Sequence, residues 1–502
     1  MIKHTRVKSL TLFMALCLAA VYTASCGAAS ETVVTDSDTT VGTETAADTA
    51  DPNDRSSVSD DLPERDFEGR DFIILTEDYQ VQDIYTESAN GEVVNDAVYE
   101  RNRTVSERFN VNIGQINYDF NETPKYAQRT VLAGDDAYQL GVNHVVAISG
   151  VVTEGIFMNW YDLPYIDFSQ PWWADSTVED LTYGDDKAFL TVGDLALSAL
   201  YKTYCYFYDK EAAEKYGIGN LYEIVDNGEW TLDKVTELTK DIYEDLNGNS
   251  ERDEDDYYGM TQDVRSGLDA YLWALGGSIM ERDANGIPTL SIKSEHMTDI
   301  YDKLYSFLYE SEGVCTERNF EGYTAQEQGH YSARESFAAG MTLFANGYLD
   351  MAVTHFRFND SDYGILPYPK YDENQEEYIT MAGGSHAVLS VPMTVTDTEF
   401  VGIITEALNA ESYKQVVPAY YEVALKVKYA RDDDSVRMLD LIMDSRVFDF
   451  GYVYDNWKGM SFYPERLLGE QKSRDFESYY AANSAAAIEH YNDVLEFYAG
   501  LE

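Results

Sequence analysis

After residue 66 the sequence alternates short apolar runs with longer amphipathic stretches, the periods of strand and helix respectively. Residues 72–75 (FIIL) predict a first strand. Residues 93–109 (VVNDAVYERNRTVSERF) place Val94, Ala97, Val98, Val105 and Phe109 on one helical face with charges opposite, so this helix covers a sheet. Strand signals at 111–116 and 138–144 alternate with helix signals at 123–132 and 147–157. Repeated β–α units of this kind predict a mainly parallel sheet.

A second alternating block begins near Tyr206. It carries helix patterns at 209–216, 231–245 (TLDKVTELTKDIYED, capped by Thr231), 266–275, 294–309 and 332–339. Strand patterns lie near 257–261, 341–345, 349–353 and 363–367, and the apolar run 387–391 opens a further element. Two α/β blocks suit the length, because 502 residues exceed the size at which one hydrophobic core keeps growing.

The first 65 residues follow neither period. Residues 1–9 are basic, 10–22 form an apolar run short for a membrane span, and small residues 23–25 precede Cys26. This is the architecture of a signal peptide over 1–25. Small residues before a cysteine resemble the lipobox of bacterial lipoproteins, which implies lipidation of Cys26, although Thr23 and Ser25 stand where Leu and Gly or Ala are usual. Residues 26–65 are rich in Thr, Ser, Asp and Ala and read as a disordered acidic tether, with too little apolar surface to offset the entropy of ordering.

Charge narrows the partners. A formal net charge of −54 argues against nucleic acid, which gains affinity by exchanging counterions for Lys and Arg. It also repels anionic surfaces at long range and favours neutral or cationic ligands. Cys205 and Cys315, the cysteines beyond the export segment, imply no disulfide framework. No HExxH, Walker A loop or GxSxG elbow occurs.

The segments GEVVNDAVYERNRTVSERFNV, KAFLTVGDLALSALYKTYCYFYDKEAAEKYGI, EWTLDKVTELTKDI, ESFAAGMTLFANGYLDMAV and MAGGSHAVLSV occur in that order behind an export signal. In this arrangement the chain resembles the bacterial extracellular solute-binding proteins of family 1, the sugar-binding lipoproteins of ABC transporters. The resemblance implies an α/β type II periplasmic-binding-protein fold, two α/β lobes joined by hinge strands with a ligand cleft between them. Lobe I would take residues 66–202 and 379–430, and lobe II residues 203–378 and 431–502. The chain would cross between lobes near 197–206 and 377–381, and the helices after Lys426 would pack mainly on the second lobe. It further implies a monomeric, non-enzymatic lipoprotein on the outer face of the cell membrane. Such a protein captures a small solute, a mono- or oligosaccharide being favoured, by hinge closure and delivers it to ABC permease subunits. Other classes stay open: a secreted glycan-active hydrolase, whose two carboxylates any acid-rich chain can supply, a glycan-docking surface lipoprotein without a transporter, or capture of a peptide or polyamine on the same fold.

A sugar offers hydroxyls and apolar faces, so its site needs aromatic surfaces beside planar polar groups. Asn143 and His144 follow the third strand signal, where first-lobe contacts lie in the family. His355, Phe356 and Arg357 follow the 349–353 signal, and Ser385 and His386 follow two glycines that let backbone approach a ligand. Tyr454 and Trp457 occupy a polar aromatic stretch (GYVYDNWKGMS) between C-terminal helices. Trp273 completes the set, although its spacing with Leu268, Leu272 and Leu275 suits a core position equally. No cofactor is implied. Separately, 245–256 (DLNGNSERDEDD) resembles an EF-hand-like calcium loop, with Asp245, Asn247, Asn249, Asp253, Asp256 and the Glu251 carbonyl as ligands to a structural Ca²⁺. Ser250 and Asp256 depart from the usual Gly and Glu.

Overall fold

The amphipathic helix at Val93–Phe109 and the helix Thr123–Ala133 serve as crossovers between three parallel strands: β1 (Arg70–Glu77), β2 (Val111–Tyr118) and β3 (Leu140–His144). Both helices stop on a left-handed residue, Asn110 at φ 49° and Gly134 at φ 73°, which turns the chain back toward the sheet. Register places buried Phe72 opposite half-buried Ile113 and buried Ile74 opposite buried Leu140, so apolar residues stack across the strands. The computed structural model describes residues 55–316, 325–356, 362–426 and 433–501. Residues 1–25, read above as an export signal, Cys26 and Arg357 lie outside the described residues.

The remaining strands are β4 (Tyr204–Asp209), β5 (Tyr243–Glu244), β6 (Tyr257–Thr261), β7 (Met280–Arg282), β8 (Pro288–Leu290), β9 (Val314–Cys315), β10 (Thr342–Tyr348), β11 (Tyr363–Leu366), β12 (Thr380–Met381), β13 (Ala387–Ser390) and β14 (Arg446–Val447). The first sheet runs β13-β3-β1-β2, with β13 antiparallel to β3. The second runs β11-β4-β10-β6-β5, with β9 beside β6. Both belong to one compact unit, Asn53–Glu502.

Expectation and structure part at several points. The second sheet is mixed rather than mainly parallel, because β4 enters from the first sheet and runs antiparallel to both β10 and β11. No strand occupies 349–353. The Leu349 and Asp350 amides donate to the Thr203 and Tyr201 carbonyls, and a short helix, Met351–Thr354, follows. Gly347 permits this turn, since a Cβ there would fall 2.3 Å from the Met351 sulfur. The tether also ends early. Val58 and Leu62 pack against the core, and Asp60 pairs with Arg108 at 2.5 Å, so residues 55–65 belong to the folded body.

The two crossings lie side by side. The Gly383 amide donates to the Lys202 carbonyl at 2.8 Å, Thr203 bridges Ala382, and Ser198 Oγ accepts the Ala387 amide at 2.9 Å. The C-terminal helix Phe476–Ala499 does not favour one side. Phe476 stacks on Tyr301 at one end, while Phe497 and Tyr498 pack on Phe189 at the other. Cys205 and Cys315 are buried thiols on β4 and β9, strands kept apart by β10 and β6.

Candidate functional site

Strands β3, β6 and β10 all end on one cavity of about 530 Å³. Loops past the carboxyl ends of strands in α/β sheets are released from the ladder and can present side chains to a ligand. His144 closes β3; Asp263, Ser266 and Asp269 follow β6; Tyr348 closes β10, with Asp350 and His355 beyond it. Lys202 and Met381 come from the two crossings, Gly384 and Ser385 from the turn before β13, and Tyr452, Trp457 and Phe462 from the C-terminal segment. The volume falls in the range of small-molecule sites. A second cavity of about 440 Å³ shares Lys202, Asp350 and Thr354 with it and adds Tyr79, Tyr201 and Tyr420.

The wall beside the first sheet is aromatic. The His144 ring stacks on Phe120 at 5.1 Å and leans on Trp457 at 5.7 Å. Its amide donates to both oxygens of Glu77, at 2.8 and 2.9 Å, which fixes the backbone at the end of β3. Burial pushes the Glu77 carboxyl up to about 8 and the His144 imidazole down to about 4. Trp457 is 45% exposed, and it and Asn456 both adopt left-handed backbone, at φ 56° and 44°. Consecutive non-glycine residues in that region carry strain that only the surrounding structure can hold. Ser385 is seated by Gln80 Nε2, which donates to its carbonyl at 2.8 Å.

The wall beside the second sheet is charged. Lys202 Nζ meets Asp350 Oδ2 at 2.6 Å and lies 5.1 Å from the centre of the Tyr348 ring. The Asp263 carboxyl accepts the Arg265 amide at 2.7 Å, yet burial still raises it to about 8. Asp269 accepts the Glu465 amide at 2.9 Å through Oδ1, and burial raises it well above the ordinary carboxylate range.

Of the residues anticipated from sequence, His144, His355, Ser385 and Trp457 meet around this cavity. Arg357 lies outside the described residues, and the other described ones do not line it. Asn143 alternates with His144 on β3, so its side chain turns the other way and donates to the Leu75 carbonyl at 3.1 Å. Phe356 is fully buried against Phe207 at 4.9 Å. His386 is also fully buried, with Nδ1 2.7 Å from the Gly383 carbonyl. Tyr454 packs on Phe450 and joins its hydroxyl to that of Tyr498. Trp273 stands one layer back: Nε1 donates to Asp449 at 2.9 Å, and the ring supports Tyr452 at 5.1 Å. The two glycines before Ser385 admit aromatic walls. A Cβ on Gly383 would lie 2.3 Å from the Tyr348 ring, and one on Gly384 2.6 Å from the Tyr452 hydroxyl. Sequence reasoning missed Lys202, Asp263, Asp269, Tyr348 and Asp350; the strand-end rule that found His144 would have found Asp263 and Tyr348.

No protein-family model matches the chain, and no curated protein does. Solved structures do match. The GacH receptor of Streptomyces glaucescens, solved unliganded and with acarbose, superposes with a TM-score of 0.51 at 13% identity, covering 86% of this chain and 98% of its own. UspC of M. tuberculosis gives 0.55 at 12% identity, over 84% and 100%. UgpB of M. tuberculosis, in complex with glycerophosphocholine, gives 0.50 at 13%, over 86% and 98%. The chain has the type II periplasmic-binding fold. In this periplasmic-binding fold the cavity lies where chain crossings and strand ends of both sheets converge.

The 245–256 loop is closed upon itself. Asp245 accepts the Gly248 and Ser250 amides, Asn247 and Asn249 donate their side-chain amides to Asp253, and Asp256 accepts from Leu246 and Tyr243. The Glu251 carbonyl accepts the Tyr243 hydroxyl at 3.1 Å. Among the described residues no three His, Cys, Asp or Glu side chains converge to hold a metal ion. Nor is any described helix long and apolar enough to cross a membrane.

Proposed function

We propose that this protein captures a small solute in the cavity at the ends of β3, β6 and β10 and delivers it, without chemical change, to an ABC permease. One observation carries the reading: side chains from both sheets, both crossings and the C-terminal segment line a single cavity of suitable size. A cavity assembled in this way changes shape when the halves move about the crossings, so occupancy becomes readable from outside. The halves are residues 66–202 with 379–430, and 203–378 with 431–502.

A carbohydrate suits the lining. Trp457, His144, Tyr348 and Tyr452 offer flat surfaces, while Ser385, Ser266 and the aspartates offer hydrogen bonds. GacH holds acarbose on this fold and UgpB glycerophosphocholine, so the fold itself does not fix the solute class. Cys26 carries the lipid, and the folded body samples the extracellular side.

The test is a thermal-shift screen of oligosaccharides, amino acids and polyamines, followed by small-angle scattering with the best hit. A specific solute raises the apparent Tm, the stabilisation growing with the logarithm of one plus the ratio of free solute concentration to Kd, and compacts the protein. Recovery of that solute cleaved would move the protein among glycan-active hydrolases.

A further inference from the structure

The charges lining the cavity are unequally partnered. Its basic side chains are engaged, Lys202 with Asp350 and Arg334 with Glu335, each at 2.6 Å. Arg265, next along the chain from the β6 end, is engaged too, with Glu465 at 2.8 Å and Glu470 at 2.5 Å. Among the described residues no cation forms an ion pair with Asp263 or Asp269. Asp269 is 1% exposed, and its Oδ2 has no hydrogen-bond partner, in contrast to Oδ1. Tyr452, 2% exposed on the same cavity, likewise has an unpartnered hydroxyl. A buried polar atom without a hydrogen-bond partner costs about 1–3 kcal/mol, more when it is charged. Two such atoms beside one cavity mark what its occupant must supply.

We propose that the cavity selects a solute bearing a protonated amino group, an amino sugar in the carbohydrate reading, with Asp269 as the ammonium partner, Asp263 as the neighbouring charge and Tyr452 as the hydroxyl beside them. This rests on the solute-capture reading above. A neutral sugar hydroxyl can donate one hydrogen bond to Oδ2 but brings no charge to two adjacent carboxylates. An ammonium brings both, and a charge-assisted bond in a water-poor site is roughly twice as strong as a neutral one. Burial holds Asp263 and Asp269 toward the protonated state while no cation is present, and an arriving ammonium reverses that bias. The stacking surfaces of Trp457 and His144 remain for the ring.

Isothermal titration of the full chain with matched β-1,4-linked trisaccharides of glucosamine, N-acetylglucosamine and glucose, together with maltotriose and spermidine, decides the matter. The amine-bearing trisaccharide binds at least about tenfold tighter than its neutral counterparts. That preference falls to within about twofold in Asp269→Asn, whose Asn Oδ1 still accepts the Glu465 amide and whose Tm stays at or above that of the parent. Should Asp269→Asn fail to fold, Asp263→Asn keeps the test alive, with the preference falling at least threefold. Neutral and amine sugars bound equally well would overturn this inference and leave solute capture standing. Spermidine bound and every sugar refused would uphold the amine and remove the carbohydrate. Binding of no solute at all would remove both readings.

Discussion

The two walls of the cavity divide the labour of recognition unequally. The wall of the first sheet and the C-terminal segment presents rings: His144 on Phe120, Trp457 beside it, Tyr452 behind. The wall of the second sheet presents charge: Asp263, Asp269 and the Lys202–Asp350 pair. Rings act through area and tolerate small displacements, whereas hydrogen bonds and ion pairs lose most of their strength over an ångström. The difference teaches that affinity and specificity are separable here: loss of a ring weakens every solute, and loss of a carboxylate changes which solute is preferred.

The largest effect comes from removing what holds the aromatic wall. Asp449 accepts from Trp273 Nε1 at 2.9 Å, the Ile279 amide at 2.6 Å and the Gly451 amide at 2.7 Å, pinning the short helix that carries Tyr452. Asp449→Ala leaves all three donors buried and unmet, so stability measured by urea unfolding falls by about 3 kcal/mol or more. Trp457→Ala cuts the other way. The side chain is 45% exposed, so stability changes by less than about 1 kcal/mol, while titration shows every bound sugar weakened by about tenfold. If Trp457→Ala altered the order of preference among solutes, the assignment of specificity to the charged wall would be wrong.

Titration separates the walls again. The Asp263 carboxyl, raised to about 8 by burial, favours the folded state fully below its unfolded value of ~3.9, and that contribution is lost as pH rises through about 8. His144 and His386, lowered to about 4 by burial, act oppositely: their contribution is whole above ~6.5 and lost as pH falls through about 4. Glu77 is raised like Asp263, so no single variant abolishes the alkaline loss. Asp263→Asn therefore narrows the difference in Tm between pH 5 and pH 8 by roughly 2 °C, and His386→Gln flattens the decline below pH 6.5 instead. A Tm profile that Asp263→Asn leaves unchanged would place the alkaline loss elsewhere.

The fold was legible where a helix carries one apolar face or a strand follows a compact apolar run, as β3, β6 and β11 do with every residue buried. The helix Val93–Phe109 is bounded as its period requires, and β1, β2, β3, β6 and β11 lie on their apolar runs. The 349–353 segment misled because its apolar residues are buried by a turn and a short helix against the first crossing, which local pattern cannot distinguish from a strand. The site was half legible for a related reason. His144 and Ser385 fall at strand ends and His355 at the end of the short helix after β10, but their neighbours Asn143, Phe356 and His386 are buried elsewhere, Asn143 because side chains alternate along a strand. Asp263 and Asp269 were lost among 90 acidic residues, since what distinguishes them is burial without a cation, a property of packing.

The smallest expected effect concerns the Lys202–Asp350 pair, which stands where the first crossing meets the charged wall and lines both cavities. Burial opposes the Lys202 ammonium, but the attraction and hydrogen bond of Asp350 outweigh it, and the amine is held above its ordinary value. Each side chain nevertheless keeps 20% of its surface exposed, so solvent screens the pair and the net stabilisation is modest. Lys202 also lies 5.4 Å from the Tyr201 ring and 5.1 Å from Tyr348, contacts that survive the loss of its partner. A double-mutant cycle of Lys202→Met and Asp350→Asn, read by urea unfolding, accordingly gives a coupling below about 1 kcal/mol. A coupling of 3 kcal/mol would mean that the pair behaves as a desolvated latch between the crossings, and the charged wall would then owe its stiffness to Lys202 rather than to the sheet beneath it.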